Sequence, residues 1–318
     1  MKECPLDTCF VPDTTCALGH LSLKDCSKWT GQEKSDTAQT ESDDEIVLPW
    51  SGSALGRTDI GFVGGRRAPT MIGVVGPENA GKTSLLAAWY LLIGRGAAVS
   101  KRHVVAGSFT LTGWEAVARS MQWAPGTLPE FPAHTSTRGG RGQGLLHLAF
   151  REDGDRLRDY LFTDAPGLWF QKWAINEQAP DAKGARWIAE NADAFVLTAD
   201  CAALAGTDRG SARSALQLLA RRLGANRRCR PVTLVWTKSD IPVADSMQAA
   251  VRDAVRSQIP DFEELKVSVQ APPDDTAGFG TGLTDLLKHT LQIRRLTQVL
   301  PPSRAKTDDP LFLFGARS

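Results

Sequence analysis

The chain contains no long hydrophobic run. Its longest, residues 85–93, is too short to cross a bilayer, so no membrane span is expected. Also missing is an N-terminal basic stretch followed by an apolar core, so no secretory leader is read and the expected compartment is the cytoplasm. Neither charge sign dominates: 37 Lys and Arg stand against 36 Asp and Glu, a formal net charge of +1. Bulk charge therefore gives no reason to expect a nucleic-acid partner, which would need a local basic patch. Internal repeats are absent, and His103, His134, His147 and His289 lack the spacing of a metal site. What remains is the composition of a globular protein: 42% hydrophobic residues over 318 positions, enough for one large domain or two modest ones.

Cysteine is concentrated rather than abundant. Four of the six lie in residues 1–30, Cys4, Cys9, Cys16 and Cys26, with His20 among them. So short a segment buries too little apolar surface to fold unaided, and in a reducing compartment Zn²⁺ is the expected staple. Four thiolates would complete a tetrahedral site, and His20 could replace one of them. The spacings are not paired C-x2-C knuckles, so disulfides or free thiols stay open. Cys201 and Cys229 read as small buried residues. Residues 31–67 read as a linker, acidic at Glu41-Ser-Asp-Asp-Glu45 and glycine-rich near Gly64 and Gly65, with a short apolar cluster at 46–50.

The stretch that organises the rest is residues 70–84, Thr-Met-Ile-Gly-Val-Val-Gly-Pro-Glu-Asn-Ala-Gly-Lys-Thr-Ser. An apolar strand runs into Gly76-x4-Gly81-Lys82-Thr83, and Ser84 opens a helical pattern with Leu85, Leu86, Trp89, Leu92 and Ile93 on one side. Strand, glycine-bounded loop and helix make a phosphate-binding loop. Backbone N–H groups along Gly76, Pro77, Glu78, Asn79, Ala80 and Gly81, together with the positive helix end, are suited to phosphate oxygens. Lys82 would reach the terminal phosphates, and the Thr83 hydroxyl would ligate Mg²⁺.

Downstream, the pattern predicts a helix over 113–122, strands at 145–150 and 159–163, a helix at 182–191 and a strand at 194–198. A helix at 211–223, a strand at 231–236, a helix at 244–257, a strand at 265–269 and a last helix at 283–296 follow. Alternation of this kind predicts an α/β fold, a three-layer, doubly wound and mostly parallel six-stranded sheet. The domains expected are residues 1–30, 31–67, 68–300 and a tail 301–318, which carries Leu311, Phe312, Leu313 and Phe314. Arg221, Arg222, Arg227, Arg228 and Arg230 form a basic run at a helix end, read as a solvated face complementing the helix dipole rather than an RNA patch.

Asp164-x-x-Gly167 closes a strand, where ligands bind in doubly wound sheets. The Asp164 carboxylate suits a water-bridged Mg²⁺, and the Gly167 N–H suits a γ-phosphate oxygen. Thr237-Lys238-Ser239-Asp240 directly follows another apolar strand. A carboxylate at Asp240 can accept from guanine N1–H and the exocyclic amine together, whereas adenine would leave it unpaired. A mismatch of that kind discriminates by about 10⁴, roughly 5 kcal/mol.

With these three motifs in order, residues 70–297 resemble the Ras-like P-loop GTPases of the translation-factor-related class. The resemblance implies GTP or GDP as ligand, GTP hydrolysis, and a nucleotide-dependent switch acting on a protein effector or co-encoded partner. It implies that Lys238 packs its stem over the phosphate loop, and that Ser268-Val269-Gln270 forms the base-supporting loop in place of the usual Ser-Ala-Lys. Gly280-Thr281-Gly282-Leu283 before the last helix is similar to bacterial members. Thr237 stands where the family usually has Asn. A switch threonine completing the Mg²⁺ shell is expected at Thr135, with Thr137 the alternative. Pro132-Ala133-His134-Thr135 and Gly107-Ser108-Phe109-Thr110-Leu111 are similar to a bacterial subgroup, the double-GTPase type domains linked to conflict and defence systems. Leu168 stands where many relatives carry a water-orienting Gln. Members with a hydrophobic residue there often have Asn where Asn79 stands, which brings K⁺ into consideration, with Arg138 or Arg141 as an alternative source of charge. A non-hydrolysing scaffold module and a P-loop ATPase remain the competing readings.

Overall fold

The computed structural model describes residues 54–57, 59–65, 67–96, 103–122, 125, 130–131, 144–152, 156–270 and 280–294. All belong to the compact unit Leu48–Ser318. Cys4, Cys9, Cys16, His20 and Cys26, the acidic linker, the tail, and Thr135, Thr137, Arg138 and Arg141 lie outside the described residues.

The chain opens with α1 (Ile60–Gly64), β1 (Thr70–Val75), α2 (Lys82–Gly94), β2 (Val104–Gly107) and α3 (Leu111–Ala118). Next come β3 (Gly144–Glu152), β4 (Arg156–Asp164), α4 (Gly167–Ile175), α5 (Lys183–Asn191), β5 (Ala194–Asp200) and α6 (Cys201–Ala205). It closes with α7 (Arg209–Asn226), β6 (Val232–Thr237), α8 (Asp245–Arg256), β7 (Glu263–Lys266) and α9 (Leu283–Gln292). The strands form one sheet in the order β2-β3-β4-β1-β5-β6-β7. Pairing is antiparallel for β2–β3 and β3–β4 and parallel across the other four junctions.

The expected six-stranded sheet is therefore corrected to seven strands among the described residues. The added strand is β2, an edge strand whose four residues are all exposed. It shows no apolar alternation, the signal from which strands are read.

Alternation does organise the centre. Met71 and Val75 pack on one face of β1, with Phe170, Trp173, Ile188, Leu219 and Val251 from the helices on that side. Ile72 and Val74 face the other way, onto Trp89, Trp114 and Leu286. This two-sided burial makes the three layers, and it explains why β1 reads as a continuous apolar run. Leu55 and Val63, in the stretch read as linker, are only 1% exposed and belong to the core, so ordered packing begins before residue 68.

Two local features clarify stretches that the sequence left loose. The Gly107–Leu111 run wraps one residue, His147 on β3. Ser108 Oγ donates to the His147 carbonyl at 2.5 Å, the Phe109 amide donates to His147 Nδ1 at 2.9 Å, and the His147 amide donates to Thr110 Oγ1 at 2.8 Å. Trp114 Nε1 donates to the same carbonyl at 2.8 Å. In the basic run, Arg222 pairs with Glu177, Arg227 with Asp261, and the Arg230 guanidinium donates to the carbonyls of Ala189, Ala192 and Asn226. Three of those five arginines thus tie α7 to its neighbours.

Candidate nucleotide site

The loop between β1 and α2 places Gly76 to Gly81 at the C-terminal edge of the sheet, beside the ends of β4 and β5. Asn79 (φ 62°) and Gly81 (φ 74°) take left-handed backbone conformations that turn the chain into the helix. Lys82, the first helical residue, is 7% exposed and donates its Nζ to the Pro77 carbonyl at 2.7 Å. Burial pushes its ammonium down from the ordinary 10.5 to about 8, opposed by the nearby carboxylates of Asp164 and Glu78.

Thr83 Oγ1 donates to Asp164 Oδ1 at 2.9 Å, joining the helix start to the last residue of β4. Burial raises the Asp164 carboxyl above its usual range, against the Thr83 hydrogen bond and the Lys82 charge. A desolvated carboxylate beside a hydroxyl suits a divalent cation, which would supply the missing positive charge. Among the described residues no group of three or more His, Cys, Asp or Glu surrounds a common point. That donor set fits Mg²⁺, which keeps several waters and takes phosphate oxygens rather than an all-protein cage.

Gly167 opens α4 directly after Asp164-Ala165-Pro166. A Cβ at Gly167 would overlap the Glu78 amide nitrogen and Cα, so only glycine permits this contact between the phosphate loop and the start of α4. Leu168 beside it is half-buried, and Trp169 packs on Gly184 of α5.

The second half of the site is held residue by residue. Thr237 Oγ1 donates to the Ala199 carbonyl at 3.2 Å, Lys238 Nζ to Asp200 Oδ2 at 2.7 Å, and the Ser239 amide to the Val267 carbonyl at 3.1 Å. Ser268 Oγ donates to Asp240 Oδ1 at 2.6 Å. Ser268 is itself fixed by two backbone hydrogen bonds with Thr281, both 3.0 Å. Gly280 makes that approach possible, and Gly282 the neighbouring one: both have φ +69°, and a Cβ would overlap the Ser268 carbonyl at the first and the Lys266 carbonyl at the second.

One cleft collects both halves. Glu78, Asn79, Ala80, Gly81, Lys82, Thr83 and Ser84 line one side, with Gly167 at the loop. Thr237, Lys238 and Asp240 line the other, together with Ser268 and Val269. Gly76, Pro77 and Asp164 are not among the lining residues: Gly76 packs closely on Thr198, the Pro77 carbonyl accepts from Lys82, and Asp164 is joined to the cleft through Thr83. Thr135 lies outside the described residues. Gln270 of the expected base-supporting loop also lines the cleft, and three further lining residues, Phe131, Ile241 and Val267, carry no sequence signal of a site. Phe131 is 53% exposed although aromatic, an exposure that only the structure reveals.

The Double-GTPase 2 family matches residues 70–291. Among solved structures the chain is similar to Era in complex with MgGDPNP and nucleotides 1506–1542 of 16S ribosomal RNA, with 18% identity and a TM-score of 0.37. That similarity covers 76% of this chain and 62% of the other, so the chain spans less than two thirds of that relative's length. No curated protein matches.

Proposed function

This chain belongs to the Double-GTPase 2 family, a P-loop GTPase of the double-GTPase type. From that premise we propose that it binds GTP and GDP with Mg²⁺ and hydrolyses GTP slowly, so that nucleotide state controls its affinity for a protein partner. The observation that carries the reading is the shared cleft: a phosphate loop and the Ser268-anchored Asp240 carboxylate face one space.

Each residue then has a defined task. Loop amides and the α2 N-terminus hold phosphate oxygens. Lys82, once phosphates replace the Pro77 carbonyl as partner, neutralises charge at the terminal groups. Thr83 and Asp164 would hold Mg²⁺, which supplies charge neutralisation across the phosphates. Gly167 presents its N–H where the γ-phosphate ends, so loss of that group alters the contact between α4 and the loop. Asp240 accepts from guanine N1–H and amine.

Leu168 cannot orient a water molecule. Turnover therefore needs charge from elsewhere, and K⁺ beside Asn79 or a partner is the proposed source. The same residue favours the second reading, a module that holds guanine nucleotide without turning it over. The subgroup resemblance extends the proposal to a bacterial conflict or defence setting with a co-encoded partner. Phosphate release from GTP and ATP, measured in K⁺ and Na⁺ buffers for wild type and Lys82→Ala, tests these points. Turnover of GTP that is abolished in Lys82→Ala supports the switch, bound GTP without turnover in either buffer supports the scaffold, and equal turnover of ATP removes the guanine assignment.

A further inference from the structure

The Thr237–Asp240 segment is held in part by a group that lines no part of the cleft. Asp200, the last residue of β5, sits opposite Thr237 in the parallel register with β6 and is 7% exposed. Its Oδ1 accepts from the amides of Ala202 (2.9 Å) and Ala203 (3.4 Å), capping α6, so the carboxylate cannot swing. Its Oδ2 accepts the Lys238 ammonium at 2.7 Å. Lys238 adopts φ 55°, a left-handed conformation unusual for a side-chain-bearing residue, and lines the cleft.

We propose that Asp200 is the positioning residue of the guanine-nucleotide pocket: it draws the Lys238 ammonium back to the end of β5, so that Lys238 offers its aliphatic stem to the purine. This rests on the reading of the cleft as a guanine-nucleotide site. The chemistry follows from the pair. A lysine free to rotate would carry a hydrated charge into the base region, and binding would have to order and desolvate it. Pinned by a fixed carboxylate, its head is neutralised before the nucleotide arrives and its methylenes form an apolar wall. The contribution is preorganisation at the base end of the pocket. It should affect GDP and GTP alike, because neither residue touches the Thr83–Asp164 end of the site.

Asp200→Asn separates the ionic role from the cap, because asparagine also caps helices. Asp200→Ser, another capping residue, serves as second variant if the first does not fold. The measurements are the Kd for fluorescent GDP and for a non-hydrolysable GTP analogue, and the Tm of the nucleotide-free protein. Asp200→Asn should raise both Kd values about tenfold, with Tm changed by no more than about 2 °C. In a Lys238→Met background, which keeps the stem and removes the charge, Asp200→Asn should add nothing further. Wild-type affinity in Asp200→Asn, an equal loss in both backgrounds, or a loss that tracks Tm overturns the proposal. Failure of the wild-type protein to bind either nucleotide overturns instead the functional reading on which it rests.

Discussion

Ser268 donates its hydroxyl to Asp240 at 2.6 Å, and the hydroxyl is 3.0 Å from the Gln270 carbonyl as well. A hydroxyl has one proton, and the shorter distance assigns it to the carboxylate. Asp240 is thereby oriented before any base arrives. Replacing Asp240 with Asn puts a donor where guanine also donates, and should weaken GDP binding by about 10²-fold or more, with adenine discrimination lost. Ser268→Ala keeps the acceptor and loses only its orientation, so a smaller loss of about tenfold is expected. Titration calorimetry with GDP and ADP reads both. An Asp240→Asn protein that still prefers GDP as wild type does would rule out this role for the carboxylate.

Lys82 links affinity to pH. Its pKa in the unliganded fold, about 8, lies below the ordinary 10.5 because of burial, and phosphates beside it must raise it. The complex then holds more protons than the free protein above pH 8. Affinity for GDP should be flat below pH 8 and fall above it, by at most about tenfold per pH unit. The unliganded fold should move the other way. Between about pH 8 and 10.5 the unfolded chain binds more protons at this site, so this residue's contribution to stability rises with pH. Lys82→Met should flatten the affinity profile between pH 7 and 9. A slope that survives the substitution assigns the titration to another group.

The contact between Gly167 and Glu78 makes a further prediction. Gly167→Ala forces the phosphate loop and the start of α4 apart, because the obstructing atoms are backbone. GTP affinity should fall by about tenfold or more while GDP affinity, which does not use the γ-phosphate contact, changes less. Parallel Kd measurements for GDP and a non-hydrolysable GTP analogue test it, and equal losses would count against a γ-phosphate role for this glycine.

His147 supports the fold rather than the chemistry. Its Nδ1 accepts the Phe109 amide, so Nε2 carries the proton and donates to Asp159 at 2.9 Å, both side chains being almost fully buried. His147→Ala removes the donor to a buried carboxylate and the acceptor for a backbone amide. Destabilisation of about 2–4 kcal/mol is expected from urea unfolding with an unchanged m-value. A loss below about 1 kcal/mol would mean that solvent or a neighbour replaces the imidazole.

Much of the site was legible because each motif abuts an apolar strand. Gly76–Thr83 follows β1, Asp164 ends β4, and Thr237–Asp240 begins on the last residue of β6, so local periodicity and motif spacing coincide. What escaped reading depended on long-range contacts. Strand β2 has four exposed residues and exists through pairing with β3. Helix α4 is apolar on several sides, with Leu168, Trp169, Phe170, Trp173 and Ile175, and so lacks the stripe that marks a surface helix. Asp200 is a single carboxylate at a strand end, and its tie to Lys238 spans two strands. Phe131 lines the cleft although no motif includes it.

The most direct test is the equilibrium affinity of the purified, nucleotide-stripped 318-residue chain for Mg²⁺-GDP and Mg²⁺-ADP under identical conditions. The account predicts that GDP binds tighter by about 10³-fold or more. Equal affinities, or binding of neither, would contradict it.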